Sequence, residues 1–171
     1  MSAEGTAPFS APELTANMAP TPSERLRTLG IELPPPPKPA GAYSPVVASN
    51  GFAWVSGQIA TDGGKVLHPG LVDRDVSAEV ARGLARTATL QALSALAASL
   101  GSIDRVRRFL RVAVYVATSP GFERPHEVAN GATELLIDLF GEEGRPARIA
   151  IGVASLPLNA AVEVEFFLAT Q

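Results

Sequence analysis

Cysteine is missing from this 171-residue chain. Its absence excludes disulfides, cysteine-based zinc sites, iron–sulfur clusters and a thiol nucleophile. Histidine is scarce: His68 and His126 are the two copies, so one chain cannot assemble a three-histidine metal site. Lysine is limited to Lys38 and Lys65 beside twelve arginines, a bias that fits a GC-rich genome better than a function. A net charge of −3 and a pI near 5.4 argue against broad electrostatic binding of nucleic acid. No apolar run approaches the roughly 18 residues of a membrane span. The N-terminus lacks the basic segment and apolar stretch of a secretory signal, so the expected address is the cytoplasm. No Gly-x-Ser-x-Gly elbow, phosphate loop or Gly-x-Gly-x-x-Gly fingerprint occurs.

What is present is the composition of one globular domain: 46% hydrophobic, 18% charged and 6% aromatic residues. Ten of the fifteen prolines fall in the first 45 residues. Residues 1–20 mix Pro, Ala, Ser, Thr and Glu without apolar periodicity and are expected to form a disordered tail. Residues 21–39 are expected to hold a short helix, Glu24–Leu29, capped by Ser23 and ended by Gly30. Four consecutive prolines, Pro34–Pro37, then force an extended strap over the fold or offer a ligand for an adaptor domain.

The folded body is expected over residues 40–171. Val46–Ser49 and Phe52–Ser56 flank Asn50-Gly51, a strong hairpin signal. Asp62-Gly63-Gly64 turns the loop from Gln58 to Val72. Asp75 or Ser77 opens a long helix whose apolar stripe is Val80, Leu84, Ala88, Ala92, Leu96 and Leu100, ended by Gly101. Phe109–Thr118 alternates as a strand, Pro125–Phe140 reads as a second helix, and Ala147–Ala154 and Ala161–Ala169 read as two more strands. Hairpin, helix, strand, helix, strand, strand is the order of a two-layer sandwich, a mixed sheet covered on one face by two helices.

Alternation along the strands predicts which residues share a face. Val112, Val114 and Val116, with Ile149, Ile151, Val153 and Val162, Val164, Phe166, read as the core side. Arg111, Ala113, Tyr115 and Ala117, with Arg148, Ala150, Gly152 and Glu163, Glu165, Phe167, read as the other side. Small residues there would let another backbone approach, so this face is expected to pack against another subunit.

The same face carries the candidate chemistry. Arg148 beside Ala150 suits bidentate capture of a carboxylate in a roomy pocket, and equally suits an ion pair with Glu163 or Glu165 at a subunit interface. Two carboxylates two residues apart point the same way and can split into an anion and an acid–base group, or can simply be solvated. Tyr43 and Tyr115 could each offer a hydroxyl. Ser56-Gly57-Gln58 could expose backbone N–H groups to an anion. Arg105, Arg107, Arg108 and Arg111 cluster at a strand entry without the interleaved aromatics that would stack bases.

Several of these motifs occur together in one family. Residues 40–171 resemble the Rid family of reactive intermediate deaminases, also known as YjgF and once labelled L-PSP endoribonuclease. The resemblance rests on Ala42-Tyr43-Ser44-Pro45-Val46-Val47, Trp54-Val55-Ser56-Gly57-Gln58 and Val128-Ala129-Asn130. It rests most on the closing block, from Pro146-Ala147-Arg148 through Leu156-Pro157 to Val162-Glu163-Val164-Glu165. The Leu29–Pro34 stretch and Asn130-Gly131-Ala132 are similar to one branch that stands apart from the best-known deaminases. Ile149 and Ala150 stand where better-known members carry small polar residues or cysteine, and Gln91 stands where many carry asparagine.

The resemblance implies an α+β, chorismate-mutase-like fold assembled as a homotrimer, with clefts between neighbouring subunits. It implies hydrolysis of carboxylate-bearing enamines or imines, such as 2-aminoacrylate, to 2-keto acids and ammonia, without metal or cofactor. By motif, Arg148 would clamp the carboxylate and Glu163 would activate water. Gly57 would offer its backbone, while Tyr43, Asn130, Tyr115 and Ala150 would line the cleft. The competing expectations are a non-catalytic small-molecule binder on the same scaffold and, less favoured by the charge and the missing aromatics, an endoribonuclease.

Overall fold

The computed structural model describes residues 19–39 and 41–171. The expected tail lies almost entirely outside the described residues, as does Ala40, the expected start of the body.

The first helix, α1, spans Pro22–Thr28. Its cap is Thr21 rather than Ser23: the Thr21 side chain accepts from the Glu24 N–H while Glu24 reaches back to the Thr21 N–H. Ser23 is thereby free to reach across the fold. Its N–H and hydroxyl donate to Asp104 at 2.8 and 2.5 Å, which pins α1 to the short 3-10 turn Ile103–Arg105. The proline segment then lies along the body. Ile31 and Leu33 pack on the core, and Ser94 donates to the Pro34 carbonyl at 2.5 Å.

Strands β1 (Val46–Ser49) and β2 (Phe52–Ile59) form the expected hairpin, with Asn50 and Gly51 at φ 52° and 77°, the left-handed geometry that the turn demands. The following loop contains a miniature hairpin, β3 (Thr61–Asp62) and β4 (Lys65–Val66). Helix α2 runs Ala78–Leu100, capped by Ser77 and ended by Gly101 at φ 83°. Strand β5 is Val106–Ala117, helix α3 is Pro125–Phe140, and strands β6 and β7 are Ala147–Val153 and Val162–Thr170.

Strand β5 starts three residues before the expected Phe109. Its register against β7 slips twice, between Val106 and Arg108 and between Phe109 and Arg111, and those slips hide the alternation. The stripe of α2 also drifts: Val80 is 38% exposed and Ala81 is buried in its place. A strict four-residue repeat lags the 3.6-residue turn by about 40° per step, so its two ends cannot share a face.

The main sheet has the order β1-β2-β7-β5-β6 and is mixed, since β6 runs parallel to β5 and the other pairs are antiparallel. Helices α2 and α3 cover one face, with α1 packed on α3. Their close crossing requires Gly131, whose Cβ would overlap the Arg82 carbonyl. Beneath them Leu93, Leu96, Leu135, Leu136 and Leu139 bury against Phe109, Phe166 and Leu168. The architecture is the expected α+β two-layer sandwich.

One expectation about the faces is overturned. The parallel register sets Val112 beside Arg148, Val114 beside Ala150 and Val116 beside Gly152. Arg148, Ala150 and Gly152 therefore lie on the helix-covered side, and Ile149 and Ile151 point away from it. Hydrophobicity misleads here because β6 is an edge strand, and its facing is dictated by pairing with β5. The uncovered face is consequently more apolar than expected. Val47 (53% exposed), Trp54 (49%), Phe52, Ile149 and Ile151 all show on it. Phe167 stacks between Phe52 and Trp54, with ring centroids 5.5 and 4.4 Å away.

Candidate functional site

The expected site residues fall into two groups on opposite sides of the sheet. The first is built on β6 and α3. Arg148 projects at the sheet edge toward α3 and donates from Nη1 to Asn130 Oδ1 at 2.8 Å and to Thr133 Oγ1 at 3.0 Å. Thr133 is nearly buried and bonds back to the Ala129 carbonyl at 3.4 Å, so it is a fixed acceptor. Asn130 and Thr133 occupy neighbouring turns of one helix face, three residues apart, where both reach the same nitrogen. With Nη1 committed, the Nε–Nη2 edge of the exposed guanidinium remains as a planar two-donor fork. Ala150, half-buried two residues along, keeps the adjoining surface shallow.

The second group sits on the uncovered face. Glu163 on β7 pairs across to Tyr115 on β5 and to Ile59 on β2. Between Val55 and Gln58 the β2–β7 register slips, which makes Ser56-Gly57 a bulge. Gln58, buried, donates its side-chain amide to the Ser56 and Gly57 carbonyls at 3.1 and 3.0 Å and holds that bulge in shape. A Cβ on Gly57 would overlap Glu163 Oε1, so glycine is required for this carboxyl to lie over the bulge. The segment before β1 runs beside it. Ser56 donates to the Pro45 carbonyl at 2.9 Å, which brings Tyr43, half exposed, to the same end of the sheet.

Burial pushes the Glu163 carboxyl above the usual carboxylate range, and the negative charge of Glu165 adds to it. Burial likewise raises the Tyr115 phenol, with Glu165 adding and Arg111 opposing. Glu165 pairs with Arg111 at 2.8 Å. Within one chain Arg148 makes no ion pair with either glutamate. Glu163 and Arg148 are separated by strand β5, about 10 Å across the strands and about 10 Å along them, and point to opposite faces.

Thr133 and Ile59 escaped sequence reasoning, as did the side-chain role of Gln58 and the pairing of Glu165 with Arg111. Asn130-x-x-Thr133 on a helix was a legible signal, since that spacing makes neighbours. Gln58 had none, because its role depends on the bulge.

Comparison with known proteins decides the family. A model described as endoribonuclease L-PSP matches residues 35–170. The chain belongs to the L-PSP family. Protein TCP17 of Trypanosoma cruzi is 41% identical over 141 residues, covering 82% of this chain and 88% of that one. A RutC family protein of Aquifex aeolicus is 29% identical over 137 residues, covering 79% and 94%. Among solved structures, a protein of unknown function from Agrobacterium tumefaciens is 36% identical, with a TM-score of 0.80 over 88% of this chain and 94% of that one. The L-PSP membership bears out the resemblance seen in the closing block, and the α+β fold with it. Among the described residues no helix is long and apolar enough to cross a membrane.

Proposed function

We propose that this L-PSP family protein hydrolyses small, carboxylate-bearing imines and enamines of the 2-aminoacrylate type to 2-keto acids and ammonia, in the cytoplasm, as a homotrimer. The observation that carries the reading is the Arg148 fork. An arginine fixed by two acceptors on one nitrogen, with its other edge exposed, is organised to take a carboxylate before one arrives. Glu163 supplies the second requirement, a carboxyl held above the usual range and therefore a better proton acceptor once ionised.

The two groups cannot meet one small substrate within a chain. The reading therefore has Arg148 of one subunit and Glu163 of a neighbouring subunit face a shared cleft, with the apolar uncovered face buried between copies. The substrate carboxylate sits on Nε and Nη2 of Arg148. Glu163 accepts a proton from water as the water oxygen bonds to the imine carbon and the C=N π pair moves to nitrogen. The proton passes on to nitrogen to give a carbinolamine; Glu163 then carries the hydroxyl proton to nitrogen as well, and the C–N bond breaks and ammonia leaves as the carbonyl forms. An imine carbon is already electrophilic, so orientation and one proton relay suffice.

Mixing tests both parts. Arg148→Lys and Glu163→Gln should each be nearly inactive in releasing ammonia from freshly generated imines. Co-assembled in equal amounts they should recover about one quarter of wild-type sites, the fraction of interfaces that draw an intact arginine from one chain and an intact glutamate from the other. No recovery, with mixed assembly verified by mass, would remove the shared site. Turnover of RNA but not imines by the wild-type protein would favour ribonuclease activity, the reading that the family description supports.

A further inference from the structure

The pair Arg111–Glu165 lies next to Glu163 and has no role in the reaction just described. Arg111 and Tyr115 project from β5 on the uncovered face with Ala113 between them. Ala113 stands opposite Glu165, and its small side chain leaves room for both neighbours to lean over that carboxylate. Arg111 Nη1 reaches Glu165 Oε1 at 2.8 Å, and the Tyr115 phenol senses both charges. The groups facing Glu163 can be named element by element. Its own strand offers Glu165, β5 offers Tyr115 and, through Glu165, Arg111, the segment before β1 brings the Tyr43 phenol to the same end of the sheet, and β2 offers Gly57 and Ile59, which carry no charge.

We propose that Arg111 is a positioning residue that acts on Glu163 through Glu165: the ion pair governs how much of the Glu165 charge reaches Glu163. The inference rests on the assignment of Glu163 as the group that activates water. Like charges two residues apart on one strand face, about 7 Å apart, repel even in water by enough to move a titration by about half a pH unit. Part of that repulsion is cancelled while Arg111 stays paired. Arginine holds its charge throughout the working range, so the compensation does not titrate away.

Two substitutions should move Glu163 in opposite directions. Glu165→Gln removes the neighbouring anion, and Glu163 should lose its proton at a pH lower by about half a unit. Arg111→Gln unmasks the anion, and Glu163 should lose its proton at higher pH. The double variant should follow Glu165→Gln, since without Glu165 there is nothing for Arg111 to offset. Arg111→Lys keeps the charge and should titrate near wild type.

The measurement is a carbon-13 NMR titration of glutamate side-chain carboxyls in the full-length protein, with the Glu163 signal assigned by its loss in Glu163→Gln. The acid limb of kcat/KM against pH for imine hydrolysis is the second readout. Opposite shifts with rescue by lysine support the proposal. Shifts of the same sign, no shifts, or an Arg111→Lys shift as large as that of Arg111→Gln overturn it and leave a packing contact. Opposite NMR shifts in a protein that hydrolyses no imine would keep the coupling and discard the proposed reaction.

Discussion

The two faces of the sheet are made by alternate residues of the same strands, yet they follow different rules. On the helix-covered face, Val112, Val114, Val116, Val164 and Phe166 are almost fully buried, and Phe166 meets Phe109 edge-on at 5.4 Å between ring centroids. On the other, Phe167 stacks in an aromatic row that is half open, between Arg111–Glu165 on one flank and Val47 on the other. Away from the β6 edge, the first face is closed within the chain. The second pairs large exposed apolar groups with a charged cluster, which is the composition of a surface that meets something. The proposed site lies where the two rules collide: Glu163 is an ionisable group on the open face, drawn down beside Ile59 and Gly57 until its charge is disfavoured.

Adjacent residues offer the hardest test of that contrast. Phe166→Ala should cost about 3–5 kcal/mol in urea unfolding, the range for a buried aromatic truncated to a cavity. Phe167→Ala should leave the unfolding of the isolated chain within about 1 kcal/mol and instead weaken self-association, read by light scattering across dilution. Equal unfolding costs without any change of mass would erase the distinction between the faces.

Gly57→Ala probes the collision point. The added methyl meets the far end of a flexible side chain, so Glu163 can swing away and the fold should survive. Imine turnover should fall at least tenfold, about 1.4 kcal/mol of barrier, with a melting temperature near wild type. A large drop in melting temperature would make the glycine a structural requirement rather than one of the site.

On the covered side, Asp104→Asn should cost about 1–2 kcal/mol and expose the α1 amides to hydrogen exchange. Burial alone would raise the Asp104 carboxyl, but the Ser23 hydroxyl and N–H, with Ser102 and Thr21, hold it below the usual range. A depressed folded value means stability that is present above the unfolded value and lost as pH falls through the folded one. In wild type α1 should therefore loosen below about pH 4, and the variant should not show that step.

The smallest effect is the most diagnostic for Glu163. Its folded value is raised, so folding favours the protonated form, and stability declines as pH rises through that value. Glu163→Gln, which carries no charge, should melt with wild type in acid and above it by about pH 7. The reverse trend would mean that the carboxylate is stabilised by a partner in the folded protein.

Much of this was legible from local patterns. Asn50-Gly51 dictates its turn because few residues tolerate two successive left-handed conformations. Pro125 through Phe140 reads as a helix because its apolar spacing, its leading proline and its closing glycine agree. The Arg148 and Glu163 pair was visible as residue types in a spaced block. Their placement was not, and neither was the cap of α1, where Thr21 prevails over Ser23 because Asp104, 81 residues along the chain from Ser23, claims the serine.

Sequence alone determined the family and much of the local geometry: the Asn50-Gly51 turn and the ends of α2 and α3. Those turns and helix ends depend on interactions a few residues long. Tertiary structure decided the facing of β6. The parallel register against β5 turns Arg148 toward α3, where Asn130 and Thr133 fix it, and away from Glu163. An edge strand buried on neither side by its own hydrophobicity takes its orientation from backbone hydrogen bonds to a strand that precedes it by a whole helix, and a one-residue change in that register would exchange its two faces.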